Sequence, residues 1–189
     1  PVVVRDEEAG YVTDPNTGAT IRTGDIIPEP TIDPATGKIY VAWQTTHFSA
    51  GARSDIALIS SADGGVTWTE PVQVNTPSGR PAFNPSVQVA NGVVGVTYYD
   101  FRNLPAGDTT TLPTDYWFRS SRDGGLTFGA DTHVAGPFDM LSAPYARGYF
   151  VGDYEGLAAA SSNFVSIFVQ ANSGNTTNRT DVFSGILTP

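Results

Sequence analysis

The sequence has no cysteine, one methionine, two histidines, and ten basic residues against nineteen acidic ones. Without cysteine there are neither disulfides nor thiolate metal sites. The histidines, His47 and His133, stand far apart and make no HxH or HExxH spacing, which argues against transition-metal catalysis. A formal net charge of −9 leaves too few cations for a basic patch. That argues against nucleic acid as a partner and against binding to an anionic membrane surface. No apolar run approaches membrane-spanning length. Helical periodicity is missing too. The chain opens on Pro1 with neither Met nor a signal-like stretch, so it is expected to be a processed or excised piece.

What the chain does have is turn chemistry and aromatics. Twenty glycines and fourteen prolines point to short elements joined by many turns, and 40% hydrophobic residues with 11% aromatics are enough for a core. The turns recur. Ser61-Ala-Asp63-Gly-Gly65-Val-Thr67-Trp68 returns as Ser121-Arg-Asp123-Gly-Gly125-Leu-Thr127-Phe128. The repeat is larger than the turn. Pro28–His47 overlays Phe83–Arg102 without a gap, so Pro30 falls on Pro85, Val41 on Val96 and Trp43 on Tyr98. Tyr154–Gln170 overlays the second copy, with Glu155 on Asn84, Ile167 on Val96 and Val169 on Tyr98. Asp55, Asp115 and Asp181 open a further repeated segment. That position reads as a turn cap, because it recurs in each unit.

The units lie near residues 30–76, 84–136 and 149–189, and each reads as about four short strands. KIYVAW and VVGVTYY run apolar or alternate, DIALIS and DYWFRS follow, and a short closing strand such as PVQVN ends the unit. Repeats of four antiparallel strands are the signature of β-propeller blades. The expected fold class is therefore all-β, with about three blades forming half of a six-bladed ring. Residues 1–29 are expected to complete a neighbouring blade. A second copy or a companion chain fragment is expected to close the ring.

The repeated turn needs no ligand to make sense. Asp63 and Asp123 can accept from the backbone N–H groups that follow, and the glycines allow φ > 0. Trp68 and Phe128 can plug the space between strands. These residues resemble the Asp box, or BNR repeat, of sialidases and sialidase-like six-bladed propellers. In that family the turn lies on the outer rim, away from the active site, so the resemblance implies the fold more than the activity. It also implies a secreted protein that acts on a sugar at the propeller axis.

Axial ligands of propellers meet the innermost strands, whose polar entry residues here are Glu29, Asn84 and Glu155. In sialidase-like proteins a glutamate activates a tyrosine nucleophile, and an arginine at the next strand end helps bind the substrate carboxylate. Glu29-Pro30 has the glutamate, but its matching strand ends in Thr45-Thr46-His47. Asn84-Pro85 lacks the glutamate but is followed by Tyr98-Tyr99-Asp100-Phe101-Arg102. A second dense cluster is Arg147-Gly-Tyr149-Phe150-Val-Gly-Asp153-Tyr154-Glu155.

The candidate catalytic residues are thus Glu155, Tyr154, Asp153 and Glu29. Tyr154 would serve as nucleophile or stacking platform, Glu155 as its base, and Asp153 as acid or ligand orienter. Arg102, Arg147, Asn84, Asp100 and Tyr99 are candidate ligand contacts. Each has a structural counter-reading: Arg102 can pair with Asp100, and the aromatic residues can be core. No cofactor is expected. Calcium on loop oxygens such as those of Asp108 or Asp139 is chemically open but unsupported by spacing. Asn175-Thr-Thr and Asn178-Arg-Thr are glycosylation sequons that matter only in a secreted eukaryotic protein. Three functional readings stay open: a glycoside hydrolase, a glycan-binding propeller without turnover, and an assembly scaffold.

Overall fold

The computed structural model describes residues 3–172 and 174–189. It is all-β apart from two single 3₁₀ turns, and it consists of successive antiparallel sheets. The first blade is β3 (Glu29–Ile32), β4 (Ile39–Thr45), β5 (Asp55–Ser61) and β6 (Val72–Gln73), hydrogen-bonded in that order. The middle blade is β7 (Ala82–Ala90), β8 (Val93–Asp100), β9 (Pro113–Ser121) and β10 (Thr132–Asp139), again in chain order. The third has three strands among the described residues: β11 (Gly156–Ala160), β12 (Asn163–Ala171) and β13 (Thr180–Leu187). A two-stranded hairpin, β1 (Val12–Thr13) with β2 (Thr20–Ile21), precedes them and joins none of the larger sheets.

Side-chain alternation explains how the blades stack. Tyr40 and Ala42 of β4, with Ile56 and Leu58 of β5, pack on Val87, Val89, Val94, Val96 and Tyr98 of the middle blade. The opposite face of the middle blade carries Phe118 and Tyr116. These meet Phe164 and Phe168 of the third, with ring centroids 5.3 and 4.4 Å apart. A strand with large apolar side chains on both faces is what a sheet buried between two others requires.

The third copy sits one residue away from the expected register. Val96 and Tyr98 face the first blade. The residues of β12 that face back toward the middle blade are Phe164 and Phe168, while Ile167 points out and is half exposed. Tyr98 therefore corresponds to Phe168, not to Val169. A one-residue slip moves every side chain to the other face, so a match by residue type alone misplaces the whole strand.

The structure also contains a repeat that the sequence reading passed over. Asp14-Pro-Asn-Thr-Gly18 and Asp33-Pro-Ala-Thr-Gly37 close the β1–β2 and β3–β4 hairpins identically. Asp14 accepts from the Asn16 N–H (2.9 Å) and the Thr17 hydroxyl (2.5 Å). Asp33 accepts from the Ala35 N–H (3.0 Å) and the Thr36 hydroxyl (2.6 Å). The first hairpin lies against the β8–β9 loop, where Asn16 Nδ2 donates to the carbonyls of Pro105 and Asp108. Val12 and Ile21 join the core of Phe83, Tyr99, Phe101, Leu112 and Val151.

Candidate active site at the inner end of the third blade

Both Ser-x-Asp-x-Gly turns lie where β5 and β9 end, and both are built the same way. Asp63 Oδ1 accepts from the N–H groups of Val66 (3.0 Å) and Thr67 (2.9 Å), and Oδ2 from the Thr67 hydroxyl (2.6 Å). Asp123 makes the same set with Leu126 and Thr127. Ser61 and Ser121 each receive the N–H of Gly65 or Gly125 and donate to the aspartate. The Thr67 bonds, with that of Ser61, hold Asp63 down at about 2, and the equivalent partners depress Asp123 further. Trp68 donates from its indole to the Gly65 carbonyl, and Phe128 lies under the Arg119 guanidinium. All ten of these residues are accounted for within the turns and their packing.

The aspartates that open the third strand of each blade are also held by side chains, although Asp55 leaves its buried Oδ2 without a partner. Asp55 accepts from Gln73 and Asn75, Asp115 from Asn103 and His133, and Asp181 from Asn172 and Asn178. Asp108 and Asp139 spend their oxygens on neighbouring N–H and hydroxyl groups.

Several expected ligand contacts are occupied by the protein itself. The Arg102 guanidinium bonds Asp100 (2.6 Å) and Asp131 (2.8 Å), contacts the Tyr98 hydroxyl, and stacks 3.8 Å above Trp117. Asp100 also accepts the Trp117 indole N–H. Asp131 reaches across to the Thr76 hydroxyl, so the cluster ties the middle blade to the tail of the first. A guanidinium held by two carboxylates and covered by a ring has no free edge for a ligand. Tyr99 is fully buried, and its hydroxyl is saturated by the carbonyl and N–H of Val169. Asn84 is buried at a bulge with φ 49°, between Phe83 and Ser86. It accepts from the Gly24 N–H (2.9 Å) and donates to the Gly152 carbonyl (2.7 Å). Arg102, Asp100, Tyr99 and Asn84 are therefore fasteners rather than ligand contacts.

The Asn84 latch has a consequence: it draws the segment before β3 and the segment before β11 to the inner end of the middle blade. The approach is backbone on backbone. A Cβ on Gly24 would lie 1.8 Å from the Asp153 carbonyl oxygen. Arg22, just upstream, holds Asp153 with a bidentate pair, Nε–Oδ1 3.1 Å and Nη2–Oδ2 2.7 Å, and its guanidinium covers Phe150 at 4.2 Å. Tyr145 and Tyr149 meet edge to face next to this pair, and Tyr149 is held to β2 through Thr20 and Arg22. Tyr154 and Tyr145 are both exposed, and so is Arg147, at φ 66°.

Glu155 turns the other way. It is only 7% exposed, against Tyr99 and Val169, and its Oε1 has no hydrogen-bond partner. Burial pushes its carboxyl up to about 8. The group thus holds a proton at neutral pH. Tyr154 and Glu155 occupy opposite faces of the strand entry, as adjacent strand residues must. The expected tyrosine–glutamate nucleophile pair is not assembled. Glu29, on the innermost strand of the first blade and paired with Ala42, is half-buried, and desolvation raises its pKa as well.

Of the sequence candidates, Asp153 and Tyr154 lie on the exposed side of the strand entry and Glu155 on its buried side, while Arg147 is exposed on the preceding loop. The structure adds Arg22 and Tyr145, which sequence reasoning missed. No local pattern marks Arg22, whose partner is 131 residues away. Among the described residues no group of three or more His, Asp or Glu side chains could hold a metal, and no helix is long and apolar enough to cross a membrane.

Neither a known family model nor a curated protein sequence matches the chain. Its architecture does match solved structures. An α-L-arabinanase of Penicillium chrysogenum, complexed with arabinobiose, superposes with a TM-score of 0.58 at 17% identity, over 95% of this chain and 50% of that one. The α-L-arabinofuranosidase of Fusarium graminearum, in complex with an iminosugar inhibitor, gives 0.55 at 15% identity, over 94% and 50%. A Hadza microbial sialidase gives 0.51 at 15%, over 84% and 30%. This chain spans half the length of the first two. The fold is that of propeller glycoside hydrolases, in about half a ring.

Proposed function

We propose that this chain is the acid-bearing half of a carbohydrate-active β-propeller hydrolase, with Glu155 as the general acid. The observation that carries the reading is the Glu155 carboxyl. It stands at the entry of an innermost strand, keeps its proton at neutral pH, and leaves Oε1 unpartnered. Glycoside hydrolysis needs such a group to protonate the departing glycosidic oxygen while a second carboxylate acts on the anomeric carbon or on water. Glu29 is the second carboxyl that the chain places on an innermost strand. On the exposed face of the strand entry, opposite Glu155, the Arg22–Asp153 pair offers donors and acceptors to sugar hydroxyls, and Tyr154 and Tyr145 offer stacking faces. The likeness to arabinan- and sialoside-directed enzymes supports a sugar as substrate and directs the first assays. The protein would work outside the cell, where polymeric glycans are found.

Release of chromophore from arabinofuranosyl and sialyl aryl glycosides tests this. Turnover on one class is expected, with Glu155→Gln lowering kcat about 10²–10⁴-fold and leaving KM nearly unchanged. Full activity in the Glu155→Gln variant would sink the assignment. The exposed Tyr145 and Tyr154 favour a second reading, glycan binding without turnover. Under it, a glycan array gives signal that is lost in Tyr154→Ala while no substrate is cleaved.

A further inference from the structure

The latch at Asn84 ends against the Glu155 carboxyl. A β-bulge puts Asn84 at φ 49°, which asparagine tolerates better than most residues, and aims its amide at the segments that precede β3 and β11. Both ends of the amide are used: Oδ1 accepts from the Gly24 N–H (2.9 Å) and Nδ2 donates to the Gly152 carbonyl (2.7 Å). Behind it Gln44 of β4, equally buried, meets the Asn84 N–H and donates to the Thr23 hydroxyl (3.1 Å). Gly152 stands at φ 135°, a conformation that favours glycine. It also backs directly onto the acid: a Cβ there would lie 3.4 Å from Glu155 Oε1 and 3.3 Å from the Tyr154 carbonyl oxygen. Oε1 is the oxygen that is buried without a partner.

We propose that Asn84 sets the protonation of Glu155 by holding Gly152 shut over it. Tying the Gly152 carbonyl to β7 keeps the strand entry closed on Oε1 and keeps water from the carboxyl. A carboxyl that water cannot reach bears the full cost of ionising, and one that water reaches does not. The groups around Glu155 do not supply the effect by charge. Tyr99 on β8 and Tyr116 on β9 face it, and burial disfavours the ionised form of both phenols. The Arg22–Asp153 pair lies on the exposed face of the entry. The latch bears on catalysis only through the reading of Glu155 as the general acid, and in that reading Asn84 is a positioning residue that touches no substrate.

A carboxyl-carbon NMR titration of the whole chain tests this without any catalytic assay, with the Glu155 signal assigned by its loss in Glu155→Gln. The wild-type midpoint is expected at about 8. Asn84→Gly keeps a residue that accepts φ 49° and removes only the amide. Its midpoint is expected to fall by about one pH unit or more, toward 4.5. Asn75→Ala is the control: it removes an equally buried amide that ties Ile56 and Asp55 in the first blade, so it loosens the fold and leaves the Glu155 midpoint in place. A midpoint unchanged in Asn84→Gly, or lowered as much by Asn75→Ala, overturns the proposal, and so does a wild-type midpoint near 4.5. Should Asn84→Gly not fold, Gly24→Ala displaces a partner of the same amide and carries the same expectation and the same refutation. Kinetics separate the latch from the acid. If Glu155 is the acid, the alkaline limb of kcat/KM moves to lower pH together with the NMR midpoint. If the midpoint moves and the limb stays, the latch holds and the acid assignment falls.

Discussion

Asp123 and Glu155 are both carboxyl groups next to a strand end, and the fold treats them in opposite ways. Asp123 accepts from two N–H groups and two hydroxyls within six residues of itself, so its charge is held. Glu155 is enclosed by residues of two blades, with one oxygen unpartnered, so its proton is held. The rim turn solves its electrostatics locally and is finished. The inner end of the third blade leaves a polar group unmatched, and unmatched buried groups are where chemistry is available.

The contrast sets opposite flanks of the pH–stability profile. Glu155 is raised from 4.5 to about 8, so between those values the native state keeps a proton that the unfolded chain has lost. Stability from this group is present in full below pH 4.5, declines as pH rises, and is gone above about 8. The swing is of order 2–5 kcal/mol. Asp63 has the reverse sign: its contribution is present above its unfolded pKa of 3.8 and is lost as pH falls through about 2. Urea unfolding from pH 4 to pH 9 is therefore expected to show a decline that Glu155→Gln flattens, making the variant the more stable protein at pH 9. A parallel decline in the variant would break the comparison by placing the alkaline loss elsewhere.

The next effect probes how closely the inner end is packed. Gly24 faces the Asp153 carbonyl with no room for a Cβ, and both neighbours are backbone, so neither can swing aside. Gly24→Ala is expected to cost about 1–3 kcal/mol in chemical denaturation. It should also lower any catalytic rate by shifting Asp153 and the strand entry that follows. Unchanged stability would mean that the two segments are held apart in solution.

How much of this was legible follows the same division between local and long-range contacts. The rim turns could be read because donor and acceptor lie within a few residues, and the Asp-Pro-x-Thr-Gly hairpins could have been read the same way. The strands and their order in the first two blades were legible from apolar runs and turns. The third blade's register was not. Ser166, Ile167 and Phe168 match the earlier copies poorly, and only packing on Phe118 and Tyr116 settles which of them faces inward. Asn84 and Arg102 were singled out as ligand contacts, but the protein itself occupies their polar groups. Their partners, Gly24, Gly152 and Asp131, were invisible because sequence does not show which loops meet. Glu155 was legible as a position but not as a buried acid, since its burial comes from Tyr99, on another blade.

The smallest effect compares the two rim turns with each other. Their internal bonds are the same, but their surroundings differ. The second turn is clamped to the first blade: Lys38 Nζ donates to the Gly124 carbonyl (2.9 Å), and a Cβ on Gly125, at φ 88°, would lie 2.6 Å from Leu58. The first turn faces no preceding blade within the chain, and Gly65 meets only Trp68 and Ile39 at the limit of contact. Asp123→Ala therefore disturbs a turn and a joint, whereas Asp63→Ala disturbs a turn alone. Both variants should melt earlier than wild type, Asp123→Ala the earlier of the two, with catalytic constants unchanged in each. If Asp63→Ala proves the more damaging, the first turn is also clamped in solution.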